Sequence, residues 1–192
     1  MEPDLTNLLA FFIGIGISAA CGFRIFVPFL GLSIAAMNGL INLSPGFQWI
    51  GTWPALIAFA TATVFEIGAY YIPWMDNLLD TIATPAAVIA GTIASVSVAG
   101  DLPPFIKWSL ALIAGGSVAG VVQTGTTLLR GVSTAATGGT ANFLITTAEI
   151  FGSAFFTVLA VAVPILGALT VLALLVWIFR RRLRPKDRHH PA

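Results

Sequence analysis

An all-α fold, a polytopic bundle of about six transmembrane helices, is what this sequence predicts, and three observations predict it. Hydrophobic residues fill 57% of the 192 positions and charged residues only 9%, against roughly 25% charged in a soluble domain. A water-facing surface cannot be made from that composition, and the mean hydropathy of +0.95 says the same. The apolar residues gather into segments of about 20, the length at which a helix rising about 1.5 Å per residue crosses roughly 30 Å of hydrocarbon. Finally, the charges are segregated: six of the nine Lys and Arg fall in Arg180-Arg181-Arg182-Leu183-Arg184-Pro185-Lys186-Asp187-Arg188, leaving Arg24, Lys107 and Arg130 upstream.

The first segment, residues 8–37, is interrupted by Arg24 and Pro28 and is long enough to tilt or break near Gly22. Residues 38–52, with Ser44-Pro45-Gly46, form a loop. The second span covers residues 53–74 and carries Glu66; a turn over 73–80 leads to the third, 81–100, closed by Asp101-Leu102-Pro103-Pro104. The fourth runs over 105–129 and is followed by Arg130 and a Gly/Thr/Ser-rich stretch, 131–142, read as loop or as irregular backbone lining a cavity. Residues 143–179 are apolar throughout, too long for one helix and sufficient for two, with the hairpin at 164–167.

The basic run directly follows the apolar residues 165–179, where the positive-inside rule places cytoplasmic anchoring charge, so contact with anionic lipid is expected and nucleic acid is not. Residues 1–182 form a transmembrane helical domain and 183–192 a basic cytoplasmic tail. An even number of spans puts both termini in the cytoplasm. Met1-Glu2-Pro3-Asp4 lacks the positive region of a signal peptide, so the first apolar segment stays as a span. The single cysteine, Cys21, excludes an internal disulfide and a cysteine-based zinc site.

Ionisable groups within spans cost roughly 2.5 to 3.5 kcal/mol each on insertion scales, so they face the bundle interior and find partners. Arg24, Glu66 and Glu149 are the candidates, with Arg130 at a helix end. Gly116, Gly120, Gln123, Thr127 and Arg130 share one face of the fourth helix, and Thr146, Glu149, Gly152 and Ser153 share one face of the fifth. Gly14, Ser18 and Gly22, four residues apart, give the first helix a small-residue stripe for close packing in lipid. Which acid meets which arginine is open at this level. Arg24 before Glu66 and Arg130 before Glu149 suggest a 3+3 inverted repeat, although the intervals are 42 and 19 residues.

Asp76 and Asp80 lie one helical turn apart at a predicted interface, a spacing that could hold Mg²⁺ and a diphosphate headgroup. No second acidic motif, HExxH, GxSxG or phosphate-cradling glycine loop accompanies them, and the two histidines lie in the tail. Solvated interfacial caps are the simpler reading; no cofactor and no enzymatic activity are expected.

Ser18-Ala19-Ala20-Cys21-Gly22-Phe23-Arg24, Glu66, Ile72-Pro73 with Asp76, Asp80 and Thr84, and then Gly125, Arg130, Asn142 and Glu149 together resemble a bacterial and cyanobacterial membrane family catalogued as domain of unknown function 4126. The resemblance extends over residues 9–182. It implies a compact helical membrane domain in a plasma (inner) or thylakoid membrane and supplies no reaction. Many members place charged residues just before the Ile-Pro pair, where this chain has Tyr70-Tyr71.

Three function classes follow. A transporter or permease for a small polar solute, ion or proton would use Glu66 and Glu149 in a polar interior with Arg24 and Arg130 as counter-charges and Gln123 on the path; in it, Glu66→Gln would alter transport and leave insertion intact. A membrane-embedded assembly or scaffold protein, as a homo-oligomer or in a larger complex, would use the same pairs to lock helices. A metal-dependent lipid-headgroup enzyme would rest on Asp76 and Asp80 alone.

Overall fold

A computed structural model describes residues 3–100 and 102–183, and these are helices and connecting turns, with no strand among them. The helices are α1 (Pro3–Cys21), α2 (Phe26–Met37), α3 (Trp53–Tyr70), α4 (Pro73–Val98), α5 (Pro104–Thr137), α6 (Asn142–Ala162) and α7 (Pro164–Leu183), with a short 3₁₀ turn, Gln48–Gly51, ahead of α3. Four of them have an apolar stretch long enough to cross a bilayer: α3, Leu78–Val98 of α4, α5 and α6. The protein is therefore built as a membrane protein.

Proline marks where several helices begin. Pro54, Pro73, Pro104 and Pro164 each lie in a first turn, where the missing N–H would have had no helical partner in any case. The expected turn over 73–80 is accordingly the start of α4. The expected break after Leu129 is also absent: α5 runs on through Arg130 and Gly131 to Thr137, because Ser and Thr there lower helix propensity without removing a hydrogen bond and Ala135 and Ala136 favour the helix. The stop comes at Gly138 and Gly139, at φ of +64° and +87°, the left-handed conformation that glycine adopts most readily at a helix end.

The first apolar segment differs most from expectation. At the start of α1, Asn7 packs on Gly100, just past α4; Ser95 then donates to the Gly14 carbonyl and Ser18 to the Gly91 carbonyl, so α1 runs antiparallel to α4. After the break at residues 22–25, α2 returns to the end it came from. The backbone N–H of Ser44, beyond α2, donates to the Ser97 carbonyl at 2.7 Å, and Phe47 meets Trp108. On α6, Thr157 packs against Gly31 of α2 and Ala160 against Gly16 of α1, so both arms lie on one side of the break. The expected single span over 8–37 is therefore a helical hairpin. Its tip reaches Gly152, the middle of α6, where Phe23 packs; α2, with 12 residues, is about 18 Å long and too short to cross. Nor does the second half of the chain repeat this, since the helix carrying Arg130 is continuous, so the 3+3 repeat is not displayed.

Gly22 permits the tip. A Cβ on it would stand 2.6 Å from the Ala119 carbonyl oxygen and 2.6 Å from the Val122 Cβ, so a larger residue would push α1 off α5. Nearby, a π-helical stretch of α5, Ala111–Gly116, presents Gly115 to the hydroxyls of Ser18 and Ser95. Such widened turns bend a helix and are frequent where something other than packing is at stake. Ser18 and Ser95 are themselves 2.8 Å apart, one of the interhelical hydroxyl contacts that average about 0.6 kcal/mol in lipid.

Burial runs opposite to that of a soluble protein. Arg24, Gln123, Arg130, Thr146, Glu149 and Ser153 are buried, whereas Ile57, Phe65, Ile113, Phe151, Phe155 and Leu169 are exposed. Trp49, Trp53 and Trp108 sit exposed at the end where the hairpin opens, and Tyr71 and Trp177 toward the other, as aromatic residues do at the two lipid–water boundaries. From Trp53 to Tyr71 along α3 is 18 residues, or about 27 Å, close to the hydrocarbon thickness.

Candidate functional site

The hairpin tip is where the ionisable residues meet. The peptides of residues 22–25 lie outside any helix within the bundle, a placement tolerated only where protein or a cavity satisfies it. The N–H groups of Ile25 and Phe26 open α2, and both are taken by Glu66 of α3: Ile25 donates to Oε1 at 2.8 Å and Phe26 to Oε2 at 3.0 Å. A carboxylate at a helix N-terminus gains from the orphan donors and from the dipole. On the other arm, Ser153 of α6 donates to the Ala20 carbonyl at 3.0 Å. The break is thus closed on both sides by side chains from other helices.

Arg24, at the tip, points to α6. Its Nη2 is 2.8 Å from Glu149 Oε2, and the two side chains are 1% and 3% exposed. Arg130 of α5 reaches the same carboxylate oxygen with its own Nη2 and places Nη1 3.2 Å from Asp80 Oδ1 of α4. One oxygen of Glu149 therefore serves two guanidinium groups, and Arg130 bridges two acids. Beneath both lies Tyr70, the last residue of α3, with Arg24 Cζ 3.8 Å and Arg130 Cζ 4.2 Å from its ring centroid. The negative face of the ring eases the approach of two like charges. Arg24, Tyr70, Asp80, Arg130 and Glu149 draw together the tip and α3, α4, α5 and α6.

Four of the residues singled out in the sequence thus meet at one locus: Arg24, Arg130 and Glu149 as a direct cluster and Glu66 on the adjoining backbone. Gln123 is buried two turns before Arg130 on the same face of α5 and donates to Thr127 of its own helix at 3.2 Å. Asp80, expected as a solvated interfacial cap, is drawn inward to Arg130, with its side chain 13% exposed. The side chain of Asp76 lies outside the described residues, as does the tail from Arg184 on. No group of three or more His, Cys, Asp or Glu side chains that could hold a metal occurs among the described residues. Tyr70 had no chemical role in the sequence reading. The signal was its position, one helical turn beyond Glu66 on the same face of α3.

No curated protein and no solved structure matches the chain. A family model matches residues 11–183, a stretch that holds the hairpin, Glu66, Tyr70 and every member of the ion-pair cluster. The chain belongs to the family described as a domain of unknown function, DUF4126.

Proposed function

We propose that this protein is a transporter of a small solute or ion, whose path runs through the Arg24–Glu149–Arg130–Asp80 cluster at the tip of a re-entrant hairpin. The observation that carries the reading is the coincidence of two unfavourable features at one place: a helix broken inside the bundle, and four ionisable groups buried beside the break. Neither is a good device for stability alone. A buried ion pair is often matched or exceeded by apolar residues of the same volume, and an unbroken helix would need no Glu66. Discontinuous helices with ionisable partners near the bilayer middle are what solute sites in membranes are made of.

In this reading the chain crosses the membrane five times, with α3, α4, α5, α6 and α7, and enters it once more with the hairpin. Six crossings would require the hairpin to traverse, for which α2 is too short. The basic run from Arg180 to Arg188 lies on the cytoplasmic side against anionic lipid. No reaction is assigned: the Asp80 carboxylate is engaged by Arg130, which leaves little for the metal-dependent headgroup chemistry that Asp76 and Asp80 could otherwise suggest.

One observation favours the assembly or scaffold reading as the second: Arg24 and Arg130 balance Glu149 and Asp80, as a lock that never opens would. Flux decides between them. The purified protein in sealed vesicles should pass ions or small solutes faster than protein-free vesicles, and Glu149→Gln should reduce that flux at least tenfold while remaining monodisperse in detergent. Wild-type vesicles no leakier than empty ones to every solute tried, together with stable co-purification of other membrane proteins, would leave the scaffold reading in possession.

A further inference from the structure

We propose that the ion carried by this protein is a proton, and that Glu66 is the group that takes it up and gives it back at the hairpin tip. Carriage of the proton rests on the reading above; its uptake by Glu66 does not.

The charges gathered at the tip leave one over. Among the described residues, the carboxylates of Glu66, Asp80 and Glu149 stand with the guanidinium groups of Arg24 and Arg130. The other titratable groups around Glu66 are the Cys21 thiol and the Tyr70 phenol, which carry no charge at neutral pH. Both arginines hold Glu149, and Arg130 holds Asp80. Glu66 meets the backbone N–H groups of Ile25 and Phe26 and no guanidinium within ion-pair distance among the described residues. The unmatched negative charge therefore falls on Glu66. Such a charge in a low-dielectric interior is costly and is relieved by taking up a proton or a cation. Glu66 is also the more accessible acid: it is partly exposed, whereas Glu149 is 3% exposed.

Space selects the proton. Arg24, Arg130 and Glu149 are so deeply buried that no water-sized void touches them, and the cavities bounded by described residues, such as one of about 610 Å³ between α4 and α5, have other linings. A metal ion needs several oxygen ligands at once, and no group of three or more metal-binding side chains occurs among the described residues. A proton needs only a lone pair, and each Glu66 oxygen keeps one beside the N–H it accepts. On uptake an O–H bond forms at Glu66 and the charge is lost; on release the bond breaks and the carboxylate returns. Thr63, one turn before Glu66 on the same face of α3, is buried with its hydroxyl unpartnered among the described residues, an oxygen within reach of that O–H at this spacing. Uptake also turns two charge-assisted bonds to the tip into weaker neutral ones. Proton and hairpin are thereby coupled: the tip is held firmly when Glu66 is ionised and loosely when it is protonated.

The test uses the full chain in sealed vesicles loaded with a pH-sensitive dye, driven by a potassium diffusion potential. Wild type should move protons at least tenfold faster than protein-free vesicles. Glu66→Gln, which cannot take up the proton, should fall to the protein-free rate, and Glu66→Asp, which can, should keep a measurable part of the flux. Thr63→Val, which leaves both tip bonds in place, should slow proton flux at least threefold and serves as the second variant if Glu66→Gln does not purify. Infrared difference spectra taken as pH is stepped across neutrality should show a protonated carboxyl band in wild type that is missing from Glu66→Gln. Flux of sodium or of a neutral solute with no proton movement keeps transport and overturns this proposal. A Glu66 carboxyl band without flux of anything keeps the proton site and removes transport. A Glu66 that stays ionised throughout, with proton flux equal in wild type and Glu66→Gln, overturns the assignment of the carrier.

Discussion

A guanidinium group in a dry interior can satisfy its edge with carboxylates, but its faces still need something better than hydrocarbon. Tyr70 supplies that for Arg24 and Arg130 at once. Cation–π contacts reach about 2 kcal/mol or more when desolvated, so Tyr70→Leu should destabilise the protein by about 2 to 4 kcal/mol and Tyr70→Phe, which keeps the ring, by less than half of that. Unfolding in detergent measures both, and equal stability of the Leu and Phe variants would remove the ring from the account. Arg24, Arg130 and Glu149 were legible in the sequence because an ionisable residue amid apolar ones has few places to go. Tyr70 was not. A tyrosine near the end of a membrane helix normally belongs to the interfacial belt, and Tyr71, exposed and bonded to Thr147, shows how little in the sequence separates the two roles.

At the level of single elements, the hairpin depends on a contact made by another helix. Glu66 accepts both N–H groups that open α2. A glutamine there has one oxygen to accept with and an NH₂ group facing the second donor, so Glu66→Gln forfeits one charge-assisted bond and leaves a buried N–H unpaired. Each such loss is worth about 1 to 3 kcal/mol. Amide exchange over residues 25–29 should accelerate by at least tenfold in Glu66→Gln, while exchange in the middle of α6 is unchanged; protection at the tip equal to wild type would show that the cap is dispensable. The effect expected from the sequence, altered transport with insertion intact, thus acquires a structural component at α2. The break itself was legible at Gly22, where composition and Pro28 pointed to it. Its direction was not, because glycine permits a kink and a reversal equally, and only the packing of Gly16 and Gly31 against the same stretch of α6 distinguishes them. The run through Arg130 to Thr137 was misread for a related reason: small and hydroxylated residues are common both in loops and in tightly packed membrane helices.

For the whole molecule, the reversal at the tip decides where the chain's ends lie. The hydrophobic segments could be counted from sequence, and the helical class followed from them, but a count converts into sidedness only if each segment is known to cross. Here α1 begins beside Gly100, at the end where Trp53 and Trp108 are exposed, and α2 returns to it. In the proposed topology, five crossings then carry α7 to the opposite end. The termini should therefore face opposite sides of the membrane, with Arg180 to Arg188 in the cytoplasm, in place of the shared cytoplasmic side that six spans require. The chain is well suited to the measurement, because its single cysteine, Cys21, is buried and stays silent to reagents in water. In intact cells, an impermeant maleimide should label Glu2→Cys directly and Ala192→Cys only after the membrane is opened. Labelling of both or neither before permeabilisation would mean that residues 8–37 cross once as a single span, and the hairpin that brings Arg24 to Glu149 and Arg130 would be wrong.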